Sequence, residues 1–175
     1  LGSVNKAFAD MLFPGTSTAQ TRARYFLLVP WIYQRLEDLG VESEQIEDRA
    51  REEECRLIDV LCKSEDTDGV IGRKVRRYIK RLPSNRYWAG LGKLGIRRFP
   101  GLQDEYHCSL DGFYERDKEN FRPDGDDDFI QAPDRNWHAL IPEPPDDVGD
   151  ISLRQEDAEY LREQIRTEAG VRDTL

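Results

Sequence analysis

No stretch of this 175-residue chain approaches the run of about eighteen apolar residues that a membrane-spanning helix needs. The opening "LGSVNKAFADML" has neither the basic start nor the apolar centre of a secretory leader, so a cytoplasmic protein with no membrane contact is expected. It also lacks an initiator Met, which suggests a piece of a longer chain. Cysteine is scarce: Cys55, Cys62 and Cys108 make neither a disulfide framework nor a zinc spacing, and they fit intracellular thiols. His107, Cys108 and His138 are the only soft-metal candidates. Without four ligands at close spacing, no metal centre and no cofactor is expected. "DGDDD", Asp124 to Asp128, matches a calcium loop in composition alone, lacking its ligand order and terminal Glu.

The longest stretch without acidic residues is also the most basic. Between Gly69 and Gln103 there is none, while Arg73, Lys74, Arg76, Arg77, Lys80, Arg81, Arg86, Lys93, Arg97 and Arg98 contribute +10 to a chain whose net charge is −9. The overall charge argues against a polyanionic partner, because phosphate neutralisation drives that binding. The distribution reverses the argument, since the protein is a basic island in an acidic body.

Hydrophobic periodicity predicts mostly helix. Ser3 caps a short helix stopped by Pro14-Gly15. One of Thr16, Ser17 or Thr18 then caps a helix running through Tyr25, Phe26, Leu28 and Val29 to Pro30, which kinks it or opens a continuation from Trp31 to Leu39, ended by Gly40. A third helix, Ser43 to about Lys63, turns Ile46, Ala50, Leu57, Ile58 and Leu61 inward. Ile71, Val75, Tyr78, Ile79 and Leu82 keep helical period up to Pro83. Ser84 caps the next helix, with Tyr87, Trp88, Leu91 and Leu94 inside and Gly95 past its end. "GIRRF" and "EYHCSL" read as short strand pieces. Asp111 to Asp150 reads as a long acidic loop anchored at Phe113, Tyr114, Phe129, Ile130 and Trp137. Ser152 and Gln155 form a capping box for a last helix to about Ala169, with Ala158, Leu161 and Ile165 inward.

"MLFPGTSTAQTRARYFLLVPWIY", "LPSNRYWAGLGKLGIR" and "NWHALIPEPP", in that order from Val4 to about Arg166, together resemble a bacterial family of unknown function. The resemblance implies a setting among antiviral defence genes, near helicase- and nuclease-like proteins, and it implies no activity or catalytic residue. One minor departure is Leu94 before the last Gly-Ile-Arg, where a bulkier residue is expected.

The expected architecture is therefore mostly α with a small β element, a helical domain containing a helix-turn-helix or winged-helix-like unit. Its regions are an N-terminal helical part (1–68), the basic unit with its wing (69–110), the acidic Pro/Gly-rich loop (111–151) and a C-terminal helix (152–175). In the basic unit the second helix would present Asn85, Arg86, Ala89 and Lys93 to base edges, with the other cations on phosphates. Thr16, Ser17, Thr18 and Arg22 form a second candidate, an anion site at a helix start, although the Gly-Lys-Ser/Thr element of a P-loop is missing.

No Ser/His/Asp elbow, paired Cys/His or phosphate cradle stands out, so a non-catalytic role is favoured. The expected function is a DNA- or other nucleic-acid-binding component of a bacterial antiphage system. The alternatives are an adaptor subunit holding a helicase- or nuclease-like partner, and a cryptic metal-dependent nuclease built on Asp104, Glu105 and the acidic loop.

Overall fold

The computed structural model describes residues 20–120, 135–146 and 148–168. Among them lie five α-helices: α1 (Tyr25–Asp38), α2 (Ile46–Leu61), α3 (Pro83–Lys93), α4 (Gln103–Asn120) and α5 (Gln155–Glu168). The β component of these residues is one antiparallel bridge between Arg97 and Trp137. The described residues are therefore mostly α-helical, with almost no strand.

The centre of the fold is α1, which packs against both α2 and α3. Every residue from Tyr25 to Trp31 is buried, with Tyr33 and Leu36 continuing the covered face. An apolar run of that kind forms a helix wrapped by others rather than a surface helix. Pro30 sits inside it, so the Phe26 carbonyl loses its amide partner while the helix continues. The end follows expectation: at Gly40, Gly40 N–H donates to the Glu37 carbonyl (2.8 Å) and Val41 N–H to the Leu36 carbonyl (3.1 Å), a paired closure of the last carbonyls.

Phe26, Trp31, Tyr87 and Trp88 are 5%, 7%, 0% and 6% exposed. Tyr33, Trp88, Tyr106 and Trp137 join four elements in one aromatic cluster, with ring centroids 5.2 to 5.9 Å apart. Each such ring buries a large apolar area, and the aliphatic residues of α1, α2 and α3 pack around them.

Several expectations are corrected. Ile71 to Leu82 is not a helix but a series of turns with one 3-10 turn, Arg76–Tyr78. Positive φ values at Gly69, Gly72 and Arg76 break helical geometry three times, so the segment is not a helix-turn-helix. "EYHCSL" belongs to α4. Its alternating Tyr106, Cys108 and Leu110 suggest a strand, yet only Tyr106 and Leu110, one helical turn apart, are buried while Cys108 is exposed. The same helix replaces the first part of the expected loop, continuing through Phe113 and Tyr114 to Asn120.

Helix starts also differ. Ser43 exchanges hydrogen bonds with Asp111 (2.9 and 3.2 Å) instead of capping α2. α3 begins at Pro83, and the Ser84 N–H donates to Glu54 (2.8 Å). In α5, Asp157 rather than Ser152 receives the entering backbone N–H, that of Arg154 (3.2 Å). Its inner face holds Asp157, Leu161 and Gln164, while Ala158 and Ile165 are exposed. The expected first helix, the hydroxyls Thr16 to Thr18, Phe129, Ile130 and "DGDDD" lie outside the described residues.

Candidate nucleic-acid interface

Six of the nine residues from Arg73 to Arg81 are cationic. Arg73, Lys74, Arg77, Lys80 and Arg81 are exposed, and Arg76 is half-buried, reaching Asp59 at 3.2 Å. Among the cations Tyr78 stands 81% exposed and Val75 48%. The backbone beneath them is fastened. Ile71 and Ile79 are buried, the Arg51 guanidinium donates to the Arg77 and Ile79 carbonyls (3.2 and 2.9 Å), and Ile71 N–H donates to the Tyr25 hydroxyl (3.0 Å). At Gly72 a Cβ would lie 2.9 Å from Ile79 Cδ1 and 3.0 Å from Ile58 Cδ1, so only glycine lets the loop lie this close to α2. Arg76 holds φ 50, a left-handed conformation costing roughly 1–2 kcal/mol for a residue with a Cβ. A shallow hollow of about 300 Å³ opens beside the loop between Gly69 and Val75.

The other cations of the island divide. Lys93 and Arg98 are exposed. Arg97 is buried at 9% exposure, its guanidinium 4.9 Å over the Trp88 ring, donating to the carbonyls of Trp88 (3.3 Å), Gly101 (2.9 Å) and Phe99. It is a core cation, and burial lowers its pKa. A Cβ at Gly92 would lie 2.4 Å from Arg97 Nη2, which explains a glycine inside α3. Arg86 is half-buried, with its Nε enclosed and lacking a partner.

Asn85 is committed on both side-chain atoms: Oδ1 accepts from Leu82 N–H (2.8 Å) and Nδ2 donates to Gln103 (2.9 Å). Pro83 and Ser84 are buried, while Asn85, Ala89 and Lys93 lie on the exposed side of α3. Arg22 bonds Asp66 (2.8 Å) and the Asp68 carbonyl (2.9 Å), where it closes the turn between α2 and the basic loop.

Beneath α3 lies a buried polar chain. Gln103 Nε2 donates to the Tyr33 hydroxyl (2.7 Å) and to Ser84 Oγ (3.0 Å). The Tyr33 hydroxyl meets His107 Nε2 at 3.2 Å. Glu54, 0% exposed, ends the chain with Oε1 unpartnered, and desolvation by burial pushes its pKa up to about 7. Burial likewise lowers the pKa of His107. Tyr33, Ser84, Glu54 and His107 are buried and Gln103 is half-buried, so the chain ties α1, α2, α3 and α4 together.

A cleft of about 1000 Å³ opens on the other side of α1. Its floor is Glu37, whose Oε1 accepts three hydrogen bonds, from the Tyr106 hydroxyl (2.5 Å), Asn136 Nδ2 (3.0 Å) and Trp137 Nε1 (3.0 Å). Burial pushes the Glu37 pKa up, against these bonds, which pull it down.

A family description spans residues 1–174 of the sequence. The chain belongs to DUF6361, a family of unknown function. Curated proteins and solved structures supply no match. Among the described residues of this DUF6361 chain, no helix is long and apolar enough to cross a membrane, and no three or more His, Cys, Asp or Glu residues gather as they would to hold a metal ion.

Sequence reasoning missed Tyr78, Arg51 and Glu37. Tyr78 fitted the apolar stripe of a helix that does not form; the glycines at 69 and 72 were the available signal against it. Arg51 and Glu37 left no local signal, because their partners are distant in the chain.

Proposed function

We propose that the chain is a non-catalytic nucleic-acid-binding component, working in the antiviral defence setting that its sequence resemblance implies. The binding element is the loop from Arg73 to Arg81 rather than a helix inserted in a groove. The observation that carries this reading is the 81% exposure of Tyr78 amid six cations. Arg and Lys neutralise phosphates and release counterions, and an open aromatic ring offers a stacking face to any base. Paired bases hide those faces, so the fitting partner is a single strand or an unpaired stretch. The fastening by Arg51 and Ile79 supports the same reading, because a preorganised loop loses little freedom on binding.

The test is fluorescence anisotropy with a labelled single strand and its duplex at low salt. The single strand should bind more tightly. Tyr78→Ala should weaken it by about 1–3 kcal/mol, and Tyr78→Phe should retain it. Equal binding by wild type and Tyr78→Ala would remove the stacking role, and no binding at low salt would sink the proposal.

A further inference from the structure

The cleft on the far side of α1 has the opposite charge from the basic loop. Six carboxylates line it, Glu37, Asp38, Glu53, Asp117, Glu143 and Asp146, against two guanidinium groups, Arg35 and Arg135. Glu53 is already paired, with Arg56 at 2.7 Å and with Arg35 at 4.0 Å. The remaining wall is mainly aromatic and aliphatic, with Trp31, Phe113, Tyr114 and Trp137 among it beside the polar Gln34 and His138. Its volume of about 1000 Å³ lies at the upper end of ordinary ligand sites.

The Glu37 carboxylate is unusually well fixed. Three donors from α4 and the segment after Arg135 converge on Oε1, and Oε2 carries no hydrogen bond from the described residues. A carboxylate held by one oxygen and free at the other, beside ring faces, has the chemistry that recognises a cation on an apolar stem: a charge-assisted hydrogen bond at the tip and ring contact along the body. A rigid rim follows from Pro142, Pro144 and Pro145, with the Pro142 carbonyl pinned by Trp31 Nε1 at 2.7 Å.

We propose that this cleft docks a basic segment of a polypeptide partner, with one Arg or Lys side chain of that segment on Glu37 Oε2 and further cations over Asp38 and Asp117. With Glu53 paired, a single small amine on Glu37 would leave Asp38, Asp117, Glu143 and Asp146 facing Arg135 alone, and a nucleic acid would be repelled by them; a segment with several cations matches their spread. The proposal does not rest on the basic loop, none of whose residues line the cleft.

The test is calorimetric titration of the full chain with the peptide acetyl-Arg-Leu-Arg-Leu-Arg-amide and its citrulline counterpart, which keeps shape and hydrogen bonding while removing charge. The arginine peptide should bind at a single saturable site, at least about tenfold more tightly than the citrulline peptide, given charge-assisted bonds. Glu37→Gln should lose about tenfold in affinity on the same grounds. The exposed Asp38→Asn/Asp117→Asn pair should weaken binding severalfold, and it decides the matter where Glu37→Gln fails to fold. Equal binding of both peptides, full affinity in both variants, or no binding would overturn the proposal. So would concentration-dependent self-association abolished by both Glu37→Gln and Arg77→Glu, which would reassign the cleft to the basic loop of a second copy.

Discussion

At the scale of single residues, two buried charges make opposite contributions. Glu54 has its pKa raised by burial to about 7, so the folded chain holds that proton more tightly than the unfolded one. Its stabilising effect is fully present below the unfolded carboxylate value and is lost as pH rises through about 7. Glu54→Gln removes this group from the titration. In guanidinium unfolding from pH 5 to 8, wild-type stability minus that of Glu54→Gln should fall with rising pH by an amount on the order of a few kcal/mol. A flat difference would show that the carboxyl keeps an ordinary pKa. Arg97 depends on its surroundings in another way, since its carbonyl partners and the Trp88 face together satisfy a buried cation. Arg97→Ala should cost roughly 2–4 kcal/mol in unfolding free energy while leaving nucleic-acid affinity unchanged at temperatures where the variant is folded. Loss of affinity without loss of stability would return Arg97 to the interface.

At the scale of elements, the last helix depends on one acid. Asp157, fully buried, accepts from Arg24 (2.9 Å) on the approach to α1 and from Arg154 (2.7 Å) at its own helix start. Both guanidinium groups lie over the Trp31 ring, at 5.7 and 5.6 Å, and Arg24 also donates to the Ser152 carbonyl. Removing one partner leaves a buried charge uncompensated. Asp157→Ala should therefore cost about 3–5 kcal/mol, with amide exchange accelerating first along α5; a loss under about 1 kcal/mol would mean that apolar contacts alone hold this helix.

Legibility in the sequence divides along the same line. Helices with an apolar stripe and a glycine stop, α1 and α3, were readable locally, and so was the aromatic core. α4 was obscured because Gly112 and its acids dilute a stripe carried by Tyr106 and Leu110. The basic loop was legible as charge and not as shape: Ile71, Ile79 and Leu82 mark burial at helical spacing, but they are anchors of successive turns. The rotation of α5 was misjudged because a buried Asp157, paired at long range, outweighs the apolar Ala158 and Ile165. Long-range polar partners such as Arg24 with Asp157 or Glu37 with Trp137 cannot be inferred from local pattern.

For the whole molecule, the central claim is that charge is partitioned: an exposed cationic loop on one set of elements, and an acidic body elsewhere that would repel the same ligand. Binding at the loop must then be electrostatic and local. The deciding measurement is the affinity for a fluorescent single-stranded oligonucleotide across a salt series, made with wild type and with Arg77→Glu. Each phosphate contact on a single strand contributes about −0.7 to the slope of log affinity against log salt. With several of the exposed cations engaged, the wild-type slope should lie at roughly −3, and Arg77→Glu should make it shallower by about one contact or more. Affinity that does not change with salt, or a slope that Arg77→Glu leaves unaltered, would contradict the assignment of the loop as the nucleic-acid interface.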